Sequence, residues 1–197
     1  IVTPGVSQDR TEYATLVVSG VASFSVNKAI TSGAVLDNPT DPTSDLIITA
    51  GEPFTYSIHF ANATTQPTAE AYFVDVLPFN GDGRGTTGLP SALKLLGVTA
   101  EMDDASWGAL SAEYTTDAAA SVLSAIQTTG NEHAATGVNW TALNAATIPP
   151  NATALRFKTA GVLPAGSSGK ITVTVRADGD ISSIGGIAND VYARTMD

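Results

Sequence analysis

GEPFTYSIHFAN, residues 51–62, alternates with a period of two: Phe54, Tyr56, Ile58 and Phe60 on one side, Thr55, Ser57 and His59 on the other. Successive side chains of a strand point to opposite faces, so this is a strand with one face in a core and one in solvent. Working outward, LDNPTDPTSD (36–45) upstream is turn chemistry almost throughout, and ATTQPT (63–68) downstream turns the chain again. EAYFVDVL (70–77) then sets Tyr72, Val74 and Val76 against Phe73, Asp75 and Leu77, and the earlier ASFSVNKAI (22–30) sets Phe24, Val26, Lys28 and Ile30 against Ser23, Ser25, Asn27 and Ala29. Near the end, TALRFK (153–158), KITVTVRAD (170–178) and GIANDVYAR (186–194) alternate in the same way. Many strands punctuated by turns, with few helical periods, predict an all-β antiparallel sandwich.

The composition agrees. With 43% hydrophobic residues, 18 Gly and 10 Pro in 197 residues, the chain can bury one good-sized core. A net charge of −10 argues against sequence-independent binding to nucleic acid and against anionic membranes, both of which require surplus Lys and Arg. No run approaches the length of apolar residues that a bilayer demands. The absence of Cys excludes disulfides, thiolate zinc sites and Cys nucleophiles. The opening IVTPG, without an initiator Met, suggests a segment of something longer, and residues 1–20 read as an N-terminal strand or the tail of a preceding module.

Residues 79–150 are less regular and read as an insertion into a sandwich spanning 21–197. Within it ALKLLGVTAEM (92–102) predicts a strand. TTDAAASVLSAIQTTG (115–130) predicts a short helix, with Thr116 or Asp117 as cap, an apolar face of Ala119, Val122, Leu123 and Ile126, and Gly130 beyond its end.

Three polar residues break the apolar rows: Lys28, Asp75 and Asn189 each fall on a core-facing parity. The pattern alone does not bring them together. If they meet, burial strips the proton from the Lys28 amine, which can then attack the side-chain amide of Asn189, while a neutral Asp75 polarises the carbonyl and shuttles protons as ammonia leaves. The product is a Lys28–Asn189 isopeptide bond. The alternative is a plain Lys28–Asp75 salt bridge at a sandwich edge, with Asn189 satisfying a turn.

GEPFTYSIHFAN followed by AEAYFVDVLP resembles the signature of the prealbumin-like conserved repeat of bacterial surface proteins, and LPAGSSGKITVTVRAD with GGIANDVYAR is similar to that family's close. The similarity runs over residues 21–195 and is weakest in the middle. The last strand departs from it, with Asn189-Asp190-Val191 where the family more often has a small residue two after the Asn. The Lys, Asp, Asn order is also similar to collagen-adhesin A-type modules. That resemblance implies an immunoglobulin-like or prealbumin-like sandwich, with Lys28 as nucleophile, Asp75 as acid/base and Asn189 as acceptor.

Other constellations carry less. NGDGRG (80–85) has Arg84 where a calcium loop needs a ligand and lacks the distal Glu, so it reads as a turn. Asp37, Asp41 and Asp45 offer loop oxygens to Ca²⁺, against the commoner role of a solvated acidic loop. His59 and His133 read as surface residues. GSSG (166–169) lacks nucleophile-elbow spacing, and LPAGS (163–167) is a turn rather than a sorting signal. Asn62, Asn139 and Asn151 lie in N-x-T sequons, which matter only in a chain secreted by a eukaryote.

The expectation is therefore a non-enzymatic structural repeat, a stalk or spacer of a secreted or wall-anchored bacterial protein. It requires no cofactor or metal and has neighbouring repeat domains as partners. A rival is an adhesin domain gripping a glycan or host protein through Trp107, Tyr114 and Trp140 in the insertion; packing is the commoner role for such aromatics. A pilus subunit is a further rival, although no pilin-type YPK motif occurs.

Overall fold

The computed structural model describes residues 24–36, 46–129, 135, 137–144, 147–180 and 186–195. The expected N-terminal strand, the Asp37, Asp41 and Asp45 loop, Gly130 and His133 lie outside the described residues. In chain order the elements are β1 (Phe24–Ser32), β2 (Ala34–Leu36), β3 (Leu46–Ile48), β4 (Pro53–Asn62), β5 (Ala71–Val76), β6 (Lys94–Met102), a 3₁₀ turn (Ala105–Trp107), β7 (Leu110–Thr115), α1 (Ala119–Thr129), β8 (Thr141–Ala142), β9 (Ala154–Thr159), β10 (Ser168–Arg176) and β11 (Tyr192–Thr195).

They form an all-β sandwich. One sheet runs β1-β4-β10-β6, the other β11-β5-β9-β7-β8, and β2 and β3 make a separate hairpin. Neighbouring strands are antiparallel. The inward row of β4 is as the sequence predicts, with Phe54, Tyr56, Ile58 and Phe60 buried between the sheets; on the other face His59 is exposed but Ser57, expected in solvent, is buried beside Thr172 of β10 in the middle of the sheet. The inward side chains meet Phe24 and Val26 of β1, Phe73 of β5, Leu155 and Phe157 of β9, and Ile171, Val173 and Val175 of β10. Phe73 anchors this core, its ring centroid 4.5 Å from Phe60 and 5.8 Å from Phe24. Each large side chain so buried contributes about 1.5–3 kcal/mol.

The stretch 79–150 is more than an insertion. β6 pairs along β10 and β7 along β9, so both are framework strands, and only α1 and β8 are additions. A bulge disguises β6: its register with β10 skips Leu96, so that Leu95 and Val98, three apart, are both buried in the core. A similar slip follows Ile30, which the period placed inward and which is 39% exposed.

The helix forms where its apolar period predicts, with a different start. The Ala118 carbonyl accepts from the amides of Ser121 and Val122, and the Asp117 carboxylate, instead of capping, accepts the Asn139 amide at 2.7 Å. Val122, Leu123 and Ile126 pack on Val74 and Val76, the outward side chains of β5, in a second core. β5 is thus covered on both faces. Among the described residues no helix is long and apolar enough to cross a membrane.

Asn62 ends β4 as a clamp. Its Nδ2 donates to the carbonyls of Gln66, Leu163 and Pro164 at 2.9, 3.1 and 3.0 Å, which fixes the turn after β4 and the LPAGS turn together. Fully buried, this sequon asparagine is committed to the fold.

Candidate functional site

β1 and β11 lie at the edges of different sheets, and β11 pairs with β5. The three polar residues of the apolar rows gather around this seam. Lys28 projects inward from β1, and its Nζ donates to Asp75 Oδ1 at 2.7 Å, with the lysine side chain 9% exposed and the aspartate fully buried. The same Nζ donates to the Asp190 carbonyl at 3.3 Å, so the amine stands against the backbone one residue beyond Asn189. Asn189 lies in the segment leading into β11, not in the strand itself, and its Oδ1 is buried without a hydrogen-bond partner. A buried orphan acceptor costs about 1–3 kcal/mol.

A fourth side chain joins them. Tyr56, inward on β4, donates its hydroxyl to Asp75 Oδ2 at 2.7 Å, and its ring lies 4.4 Å beneath the Lys28 amine. Both Asp75 oxygens are therefore engaged, one by the amine and one by the phenol, which differs from the expectation that Asp75 itself polarises the Asn189 carbonyl. The sequence reading missed Tyr56 because a tyrosine in an apolar row has a sufficient explanation in packing; its hydroxyl opposite the stray Asp75 was the signal.

Burial weakens the hold of the Lys28 amine on its proton. Burial pulls the Lys28 pKa down from 10.5 to about 8, against the Asp75 charge and hydrogen bond, which raise it; the nearby Arg84 guanidinium lowers it further. Burial also pushes the Tyr56 phenol well above its ordinary range, as does the Asp75 carboxylate, while a hydrogen bond with the Asn189 side chain pulls the other way.

The NGDGRG turn supports this seam. The Arg84 guanidinium pairs with buried Asp82 at 2.9 Å and donates to the Val76 and Leu77 carbonyls at the end of β5, at 3.0 and 3.5 Å. Two residues on, Thr86 Oγ1 both donates to the Ala188 carbonyl and accepts from the Ala188 amide at 3.1 Å, and the Thr87 amide bonds to the Gly186 carbonyl. The turn thereby holds the backbone just before Asn189 against the end of the strand that carries Asp75.

The aromatic trio does not assemble. Tyr114 packs into the core between the sheets, whereas Trp140 packs against the core under α1, on the opposite face of the same sheet. Trp140 is also covered by the Arg156 guanidinium at 4.6 Å. Trp107 sits in the 3₁₀ turn, partly exposed. Among the described residues no group of three or more His, Asp or Glu is placed to hold a metal ion.

No protein-family model matches the chain. No curated protein matches it either. Among solved structures, a family IIIa CBD from Clostridium cellulolyticum is similar over 89% of this chain and 92% of its own, at 15% identity and a TM-score of 0.25, a superposition too poor to carry an argument.

Proposed function

We propose that this chain is a load-bearing spacer module of a secreted or wall-anchored bacterial surface protein, reinforced by a self-formed isopeptide bond between Lys28 and Asn189. The observation that carries the reading is the Lys28 amine, inside the sandwich, 2.7 Å from Asp75 and 3.3 Å from the carbonyl next to Asn189. In the reaction Nζ gives one proton to Asp75 and attacks Asn189 Cγ, whose carbonyl electrons move to Oδ1. The carbonyl then re-forms, the bond from Cγ to the original amide nitrogen breaks, and that nitrogen leaves as ammonia with one of the two protons that Nζ gives up, the other remaining on Asp75. Desolvation lowers the barrier by loosening the ammonium's hold on its proton and by keeping the site free of water.

The mechanical role follows from where the tie falls. Tension applied to the two ends peels only the residues outside Lys28 and Asn189 before it reaches a covalent bond, and the sheets between them carry no load. The family resemblance in the sequence supports the stalk setting. No observation gathers Trp107, Tyr114 and Trp140 into a binding surface.

Intact-mass spectrometry of the purified, unfolded chain tests the bond. The expected mass is that of the sequence less one ammonia, with a fragment joining the Lys28 and Asn189 peptides. A chain of full mass would refute it. Pulling a cross-linked chain by its ends tests the role: release of the full contour length would sink the load-bearing reading even where the bond is present.

A further inference from the structure

The proposed reaction leaves one proton unaccounted for in space. The departing Asn189 nitrogen has to be protonated, yet both Asp75 oxygens face elsewhere, Oδ1 to Lys28 and Oδ2 to Tyr56. The Asn189 side chain is hydrogen-bonded with the Tyr56 phenol while its own Oδ1 has no partner, so the amide nitrogen is the atom that faces the hydroxyl. Resting on the isopeptide reading, we infer that Tyr56 is the proton relay of the reaction, passing its hydroxyl proton to the leaving nitrogen of Asn189 and recovering one from Asp75.

The balance closes within four side chains. Lys28 begins as an ammonium and loses two protons in turn, both to Asp75. The first passes from Asp75 through Tyr56 to the leaving nitrogen, which departs as ammonia; the second remains on Asp75. Tyr56 ends as it began, and no co-reactant is needed. The surroundings keep the relay charged with its proton at rest, since burial and the facing carboxylate both oppose phenolate formation. Removing the hydroxyl while keeping the ring separates this role from packing beneath Lys28.

Tyr56→Phe is the test, with the full chain made by cell-free synthesis, acid-quenched at intervals and weighed intact across a pH series. Positioned acid–base groups contribute about 10²–10⁴-fold, so cross-linking in Y56F is expected to slow about a hundredfold or more. Its rate should also fall at high pH, where solvent must supply the proton, while the wild-type rate rises to a plateau as Lys28 deprotonates. A uniform slowing at every pH, or wild-type kinetics in Y56F, would overturn the relay and leave the isopeptide reading intact. A wild-type chain that never loses ammonia overturns both.

Discussion

Asn189→Ala removes the proposed electrophile and with it the proposed tie between β1 and the segment entering β11. A large effect on stability is expected, because such a tie would close most of the chain, from residue 28 to residue 189. Loop-closure entropy for roughly 160 residues amounts to about 5 kcal/mol in the cross-link model. A second contribution comes from Lys28, which reverts to a buried amine with a pKa of about 8 in place of 10.5. Holding it as an ammonium at neutral pH costs about 3 kcal/mol. Loss of the unpartnered Asn189 Oδ1 returns about 1 kcal/mol. The net is on the order of 7 kcal/mol, equivalent in a chain of this size to a fall in melting temperature of about 15–25 °C. Calorimetry at pH 7 measures it, with the intact mass recorded for each sample and His59→Ala, on the exposed face of β4, as a control expected to shift little. A wild type that has lost ammonia but melts within about 3 °C of Asn189→Ala would refute the argument that the bond constrains the unfolded chain.

The unlinked Asn189→Ala variant should also gain stability with rising pH. The folded Lys28 pKa lies below the unfolded 10.5, so below about 8 the amine is protonated in both states and the penalty is fully present. Above that the unfolded chain binds more protons and the penalty fades, until near pH 10 the raised Tyr56 pKa begins to act in the opposite sense. Denaturant midpoints from pH 7 to 10 should climb; a flat series would contradict the buried amine. Arg84→Met leaves Asp82 buried without its partner and frees two carbonyls at the end of β5, for a loss of about 3–5 kcal/mol by urea denaturation, and a loss within about 1 kcal/mol would show the turn to be dispensable. Gly169→Ala would place a methyl 2.4 Å from Phe60 Cζ and 2.8 Å from the Glu101 carbonyl oxygen, which belongs to the paired strand β6. The ladder has to shift, and a loss of about 1–3 kcal/mol is expected in the same assay; wild-type stability would mean that the pairing is looser than the register implies.

What the sequence disclosed follows from the period of two. In β4 and β10 one face meets the apolar core and the other carries polar side chains, so parity is written in the residue types, and Lys28 and Asp75 stand out against it. Where a strand departs from that condition the writing blurs. β5 is buried on both faces, so Val74 and Val76 gave no hint that α1 covers them, and the bulge at Leu96 hid β6 inside an apparent insertion. Trp107, Tyr114 and Trp140 form a set only as aromatics of the stretch 79–150: Tyr114 on β7 faces the core between the sheets, Trp140 lies before β8 against the core under α1, and Trp107 sits in the 3₁₀ turn. Arg84 was read only as an unsuitable calcium ligand. Its role depends on two backbone carbonyls at the end of β5, which no side-chain pattern records.

The placement of the polar cluster explains why a sandwich of this kind has use for it. Backbone ladders hold each sheet together internally, but among the described residues no ladder runs between β1 and β11, because the two strands close different sheets. Among the described residues the ladder holding β11 to β5 is four residues long, from Tyr192 to Thr195. A non-covalent seam at this place would yield by peeling, one hydrogen bond at a time. A buried ion pair does little to prevent that, since desolvating both charges offsets most of their attraction. The same desolvation that makes Lys28 and Asp75 a poor clamp as ions lowers the amine's pKa and so raises the share of it present as the free, nucleophilic base. An arrangement unfavourable as a salt bridge is thereby suited to the proposed bond, and the orphaned Asn189 oxygen would be the cost the fold carries for keeping the proposed acceptor dry beside it.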